Sequence, residues 1–380
     1  MMVNLEDYRR RARKILPSFV FNYVDGGADD ERTLRDNRAA FARWQFLAPV
    51  LKNASVRSLT TQLGDTVLAA PFLIAPTGYN GMLRRGADLM LARAAGRAGI
   101  PWIQSTVSTV SLEEAAGGPA GAHWFQLYVL KDRNVTRDLL RRAEQAGCAN
   151  LVVSVDAVHF GNRERDIRHY RRPMKLSVGS YLNIACHPGW VWRTLVPGGV
   201  PGFGNLRPYL PPQYQRGVGG ATYFARQMDD TLDWETLRWI RSLWRGRCYV
   251  KGISTVEDAL AAVAAGADGL MLSNHGGRQL DGSVSPLAVL PDVRRACGPA
   301  ARILIDSGIR RGTDIIKALA LGADAVLIGR PLLYAVAVAG EAGADRAIAM
   351  LKQEIDRTLA QLGCRSLSEL GPHLLRRRDV

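Results

Sequence analysis

No cysteine pair at metal or disulfide spacing occurs in the 380 residues. Cys148, Cys186, Cys248, Cys297 and Cys364 are scattered, without a C-x-x-C or a neighbouring histidine pair. Neither a zinc site nor a disulfide framework is expected, no metal is expected, and a reduced, cytosolic setting fits. A run of about 18 apolar residues is also missing, which excludes a spanning helix and leaves attachment to a membrane surface open. The first residues, MMVNLEDYRRRARKILP, carry arginines with no apolar stretch behind them. No secretory signal is read there, and the protein is expected to stay inside the cell. No G-x-G-x-x-G opens a helix after a first strand, which counts against a dinucleotide bound on a doubly wound sheet. Zinc-finger, RNA-binding and basic-heptad signatures are lacking as well. Nucleic acid is therefore not an expected partner, although the formal charge of +15 points to anionic lipid or acidic substrates.

What is present is the balance of a globular protein, 47% hydrophobic and 22% charged, and one recurring theme. From residue 71 onward a short apolar, β-branched run is followed by a polar or glycine-rich turn and then by a helical pattern rich in Ala, Leu and Arg. Eight strand-like runs are read: Phe72–Ala75, Trp102–Ser105, Trp124–Tyr128, Leu151–Val155, Tyr249–Lys251, Leu270–Ser273, Ile303–Ile305 and Ala325–Ile328. Their continuous apolar character requires burial on both faces, and the polar residues collect at their C-terminal ends. Together these predict an α/β chain forming a single parallel (β/α)8 barrel with its site at that end. Residues 1–70 lie outside the repeat and are expected to form a helical cap on the barrel of 71–380. A Gly-, Pro-, Trp- and Tyr-rich stretch at about 174–225 is expected to be a long insertion after the fourth strand.

The segment SNHGGRQLDG, 273–282, concentrates the chemistry. His275 follows an apolar run, two glycines let backbone approach a ligand, and Arg278 adds a cation; with Lys251 nearby this suits a base acting on an acid. Arg163 in GNRERD offers a second guanidinium for the same carboxylate. LIDSGIRRG and LIGRP end the last two strands, where barrels often bind a phosphate through backbone N–H groups and a helix N-terminus. Gly308, Gly329, Arg310 and Arg330 would form that site, for which flavin mononucleotide is the natural ligand. A phosphate-binding lyase or isomerase would share it, but would not need Lys251 and two arginines around His275.

LPSFVFNYVDGGADDERTLRDN, LIAPTGYNGML, WFQLYVLKDRN, GNRERDI, SNHGGRQLDG, IDSGIRRGTDIIKALALGADAVLIGRP and GCRSLSEL occur in that order. On these motifs the chain resembles the FMN-dependent L-2-hydroxy acid oxidases and dehydrogenases along nearly its whole length. The resemblance implies FMN as cofactor, oxidation of a 2-hydroxy acid to the 2-keto acid, and a homotetramer. Tyr23 and Tyr128 resemble the family's substrate-site tyrosines, Arg163 and Arg278 its carboxylate-binding pair, His275 its base and Asp156 the carboxylate paired with that base. Lys251 resembles the lysine near the flavin N1/O2 edge. Thr77, Gly78, Ser105, Gln126, Ser154 and Ser273 stand at flavin-site positions, and Asp306, Gly308, Arg310, Gly329 and Arg330 at the ribityl and phosphate site. In such a site the base takes the hydroxyl proton while the C2 hydrogen leaves as hydride or through a carbanion, and both routes use the same residues.

Departures from the family refine the expectation. Val107 replaces the tryptophan of glycolate-oxidising members and leaves room for a larger side chain. Gly78 replaces the alanine of the oxidases, which favours a membrane acceptor such as quinone over oxygen. Ser154 replaces a common threonine and keeps the hydroxyl. No haem-domain segment precedes Tyr23, so a flavocytochrome arrangement is not expected. GNRERDI and ARQMDDTLDWETLRWIRSLW resemble members acting on (S)-mandelate, while STVS at 105–108 and PTGYNGML are shared with members acting on L-lactate. HPGWVWRTLVPGGVPGF resembles the segment by which membrane-bound members attach to lipid, with Trp190, Trp192, Arg193 and Phe203 expected at the interface. An active-site lid is the alternative. The expected location is peripheral, on the cytoplasmic face of the inner membrane, against an anionic surface, and otherwise cytoplasmic.

Overall fold

In the computed structural model, which describes residues 1–117, 122–172, 175–215 and 219–378, all eight apolar runs are strands of one closed parallel barrel. They are β1 (Phe72–Ile74), β2 (Trp102–Ser105), β3 (His123–Leu127), β4 (Asn150–Ser154), β5 (Arg247–Ile253), β6 (Gly269–Leu272), β7 (Ile303–Ile305) and β8 (Ala325–Ile328). They pair in sequence order, and β8 closes on β1 through Val326↔Phe72, Leu327↔Leu73 and Ile328↔Ile74. Residue 174 and residues 216–218 of the expected insertion lie outside the described residues, as do 118–121, 173 and 379–380.

Side chains alternate along each strand, so two apolar sets separate. Leu73, Ile103, Trp124, Val152, Tyr249, Met271, Leu304 and Leu327 pack together inside the barrel. Their strand neighbours, among them Phe72, Phe125, Leu151, Val250 and Ile305, join the core beneath the outer helices. Trp124, fully buried, stacks on Tyr249 at 4.9 Å; removing an indole from such a place typically costs about 3–5 kcal/mol. Leu63 and Leu68, from the hairpin of Thr61–Leu63 and Thr66–Leu68, belong to the inner set. The hairpin's Asp65 pairs with Arg247 at the start of β5, which places this plug at the end away from the strand C-termini.

Residues 1–70 differ in part from the helical cap expected of them. Three helices, α1 (Leu5–Ile15), α2 (Ser18–Asp25) and α3 (Arg32–Ala42), occupy the first part. α1 begins where Asn4 accepts a hydrogen bond from Asp7 N, with acidic residues in its first turn and basic residues in its last. Beyond Ala42 the chain is extended: Trp44–Phe46 pairs antiparallel with Leu375–Arg377, and the plug hairpin follows. β-branched and turn residues there oppose helix formation, and the barrel floor needs covering.

The insertion leaves β4 and returns to β5 through the short strands Tyr170–Arg172 and Lys175–Leu176 and the helices Val178–Ala185, Pro188–Thr194 and Gly219–Gln227. It corrects one expectation. Trp190 is buried, packs edge-on against Phe19 and donates to Met82 O, and Phe203 is buried facing the barrel mouth. Of the four residues expected at the interface, Trp192, 72% exposed, points outward and Arg193 is half-buried.

Candidate active site

β5 carries a register shift between Lys251 and Ile253, centred on Gly252 with φ +113°. A Cβ on Gly252 would lie 2.6 Å from that of Asp156, so glycine is what lets the β4 and β5 ends approach each other. Asp156 is thereby brought under the loop after β6, where His275 has a left-handed backbone, φ +58°. That conformation is rare for a residue with a Cβ and marks a place where the surroundings dictate geometry.

His275 Nδ1 lies 3.1 Å from Asp156 Oδ2, and its Nε2 lies 3.2 Å from the Tyr128 hydroxyl. An ionised carboxylate only accepts, so Nδ1 carries the hydrogen and Nε2 keeps its lone pair toward the cavity. Burial pushes the Asp156 carboxyl up, but the His275 and Lys251 charges outweigh it and hold the group below the usual carboxylate range. Burial pulls the imidazole below its ordinary value, while Asp156 works to raise it. Burial first, and the Asp156 charge second, push the Tyr128 phenol well up, so it stays protonated.

Arg163 and Arg278 stand beside this group. Arg278 donates to Tyr23 O at 2.5 Å and Gly26 O at 3.1 Å, with its guanidinium 5.1 Å from the Tyr23 ring centre. Arg163 donates to Arg278 O and Gln279 Oε1. Burial and then the Arg278 charge pull Arg163 down to about 10, which still leaves it cationic at neutral pH. Among the described residues neither arginine forms an ion pair; Asp166 lines the same cavity and its charge acts on both, but burial pushes its carboxyl up and it bonds to neither. An anionic substrate completes such an arrangement.

The cavity, about 490 Å³, is lined by Tyr23, Thr77, Gly78, Tyr128, Arg163, Lys251, His275, Arg278, Asp306, Gly308, Arg310, Gly329 and Arg330, all anticipated from sequence. Ser105, Gln126, Ser154 and Ser273 are not brought to its surface. They are buried, and Ser105 Oγ donates to Gln126 Oε1 at 2.9 Å while Gln126 Nε2 donates to Ser154 Oγ at 3.0 Å. Asp306 forms a buried ion pair with Lys251 at 3.0 Å, as an ammonium with so little solvent requires. Arg330 donates to Val24 O, Gly26 O and Gly276 O, fastening α2 to the His275 loop while adding charge.

Sequence reasoning missed Tyr79 and Phe224 and expected Phe203 at the lipid interface, whereas all three line the cavity. Phe203 lies 5.1 Å from Tyr79 and 6.4 Å from Phe224 between ring centres, Tyr79 meets Tyr23 at 6.5 Å, and Phe224 meets Tyr128 at 6.1 Å. Tyr79, next to Gly78 in PTGYNGML, was the one with a local signal. Phe203 and Phe224 reach the cavity from an insertion without periodicity.

A buried imidazole with a free lone pair, two guanidiniums without ion pairs among the described residues, and an arginine- and glycine-lined recess at the last two strands fit a barrel enzyme that takes an acidic substrate beside a phosphate-bearing cofactor. Comparison with known proteins makes the class specific: residues 12–377 match the family described as FMN-dependent dehydrogenase, and the chain belongs to that family. It is 43% identical over 380 residues to the (S)-mandelate dehydrogenase of Pseudomonas putida, a match covering 100% of this chain and 95% of that one. It is 41% identical over 367 residues to the L-lactate dehydrogenase of Yersinia pestis (strain Pestoides F), covering 96% of each. The crystal structure of the monotopic membrane protein (S)-mandelate dehydrogenase superposes with a TM-score of 0.94 at 43% identity, over 99% of this chain and 100% of that one.

The cofactor is FMN, and the recess fits its phosphate. Arg310 Nε is buried without a hydrogen-bond partner among the described residues, which suits an anion there. Gly308 has φ +86°, and a Cβ there would come within 2.1 Å of Asn37 O, while the space over Gly329 is open to within 3.7 Å of Thr77. The N-terminus of helix Arg330–Leu362 opens at Gly329.

Proposed function

We propose that this enzyme oxidises an aromatic L-2-hydroxy acid of the (S)-mandelate type to the 2-keto acid and delivers the electrons to a membrane acceptor such as quinone. The observation that carries the substrate choice is the unbroken run of ring contacts from Tyr23 through Tyr79, Phe203 and Phe224 to Tyr128. It lines the cavity between the two tyrosines at the substrate end. Burying a phenyl ring there contributes about 2–3 kcal/mol that lactate's methyl group cannot match.

FMN supplies the two-electron oxidant when bound. Arg163 and Arg278 grip the substrate carboxylate, which turns the hydroxyl toward His275 Nε2 and Tyr128. His275 takes the hydroxyl proton, and Asp156 stabilises the imidazolium so formed. Lys251, Thr77, Gly78, Arg310, Gly329 and Arg330 would hold the cofactor, with Ser105, Gln126 and Ser154 supporting them from beneath.

The enzyme acts at a membrane surface, in this reading on the cytoplasmic face and as a homotetramer. Trp192, Leu182, Tyr181 and Val196 are each more than half exposed on one insertion, and the chain's net positive charge suits an anionic leaflet. No helix among the described residues is long and apolar enough to cross a membrane.

Anaerobic bleaching of the yellow holoenzyme with glycolate, L-lactate and (S)-mandelate tests the substrate. (S)-Mandelate should exceed L-lactate in kcat/KM by at least about tenfold; equal or better use of L-lactate overturns the aromatic reading.

A further inference from the structure

We propose that Ser307 is a positioning residue of this reaction, its hydroxyl joining the Lys251–Asp306 ion pair to the backbone that carries His275. This rests on the functional reading above.

Ser307 follows β7 with φ +72°, and Gly308 follows it at φ +86°. The left-handed region is open to glycine without steric cost, and serine occupies it only against its preference. A residue kept there at a disadvantage points to what its side chain does. Ser307 Oγ donates to Asp306 Oδ1 at 2.7 Å and accepts from Gly276 N at 3.0 Å. Asp306 Oδ2 lies 3.0 Å from Lys251 Nζ, and Lys251 Nζ donates to Ser273 Oγ at 2.7 Å. Ser273 Oγ in turn accepts from His275 N at 3.0 Å.

These contacts close a ring. It leaves the backbone at Gly276, passes through Ser307, Asp306, Lys251 and Ser273, and re-enters at His275 N, one residue from where it began. Both peptide N–H groups flanking the base are therefore held by serine hydroxyls that converge on one ammonium. His275 itself has a left-handed backbone, and Gly276 and Gly277 continue that hand; histidine visits this region more readily than most side chains, yet it remains an uncommon conformation that contacts must hold. The charged or titratable groups facing the imidazole are Asp156, Lys251, Arg163 and Tyr128. Ser273 and Ser307 fix where it sits among them.

Without the Ser307 hydroxyl, Gly276 N loses its acceptor and Asp306 loses a donor; Arg330 still holds Gly276 O, so the base loop loosens on the side of the Lys251–Asp306 pair without coming free. A shift of an ångström at the reacting group is enough to cost orders of magnitude in rate. The carboxylate grip of Arg163 and Arg278 does not pass through the ring.

Ser307→Gly separates this role from packing, because glycine removes the hydroxyl and relieves the backbone. In the holoenzyme, stopped-flow reduction by saturating hydroxy acid is expected to slow about tenfold, the effect of one functional hydrogen bond. The apparent substrate affinity should change less than twofold, with FMN content intact and Tm equal to or above the parent's. Ser307→Ala should slow equally and lose Tm, since it keeps the backbone cost. A Ser307→Gly enzyme as fast as the parent overturns the proposal. So does a slow one that has lost FMN and Tm in step, which makes Ser307 structural. An NMR titration of the chain's six histidines, with His275 assigned by His275→Ala, needs no substrate. Its midpoint is expected to differ between parent and Ser307→Gly. An unmoved midpoint overturns the ring whatever acid the parent oxidises, whereas a parent bleached by no 2-hydroxy acid overturns only the functional reading.

Discussion

His275 and Asp156 come from strands separated by more than a hundred residues, yet Nδ1 and the carboxylate lie 3.1 Å apart. The imidazole owes its usable lone pair to this contact. His275→Ala should keep FMN and lose about 10²–10⁴-fold in the rate of flavin reduction. Reduction within tenfold of the parent would remove His275 as the base.

The same pair fixes a pH dependence. Burial lowers the His275 pKa and Asp156 raises it, so removing the carboxylate must lower it further. In Asp156→Asn the acid limb of the kcat/KM profile should move to lower pH, while the plateau falls because the imidazolium is no longer stabilised. A limb that stays put or moves up would show that Asp156 does not act through His275.

Arg278 holds two backbone carbonyls at one nitrogen and keeps its remaining donors for the cavity. Lysine preserves the charge without the fork. Arg278→Lys should therefore lose about 10–100-fold in kcat/KM, a charge-assisted contact's worth, with FMN content unchanged. Parent-like kinetics on every hydroxy acid tested would sink the carboxylate clamp.

Gly78 and Val107 interlock. A Cβ at 78 would lie 2.3 Å from Val107 Cγ2, so the two positions cannot both carry bulk. Gly78→Ala alone should destabilise by about 1–3 kcal/mol, and adding Val107→Ala should recover most of that loss. Urea titrations of the four proteins in the cycle measure the coupling, and additive effects would disprove the interlock.

The membrane reading concerns the outward residues of the insertion alone. Cutting out Leu182–Asn205 whole would also remove Phe203 from the cavity and Asn205, which donates to Ser105 O. Tyr181→Ser, Leu182→Ser and Trp192→Ser together should move the enzyme from membrane to soluble fraction, with dye-linked activity retained and transfer to membrane quinone reduced. A parent already soluble at low salt makes the segment a lid.

The sequence by itself determined the barrel and most of its mouth. Strands buried on both faces must be apolar along their length, and groups at strand ends must converge in a closed parallel barrel, so His275, Arg163, Arg278 and the glycines after β7 and β8 were legible one run at a time. Family motifs supplied FMN. Tertiary structure alone decided what depends on contact across the chain. Trp190 and Trp192 sit two residues apart in one helix, yet one is buried against Phe19 and the other faces out, because the face a helix buries depends on what it packs against. Phe203 and Phe224 entered the cavity from a segment with no periodic signal. The left-handed backbone at His275 and Ser307, and the ring that joins them through Lys251, are set by hydrogen bonds between β5, β6 and β7 that no local preference encodes.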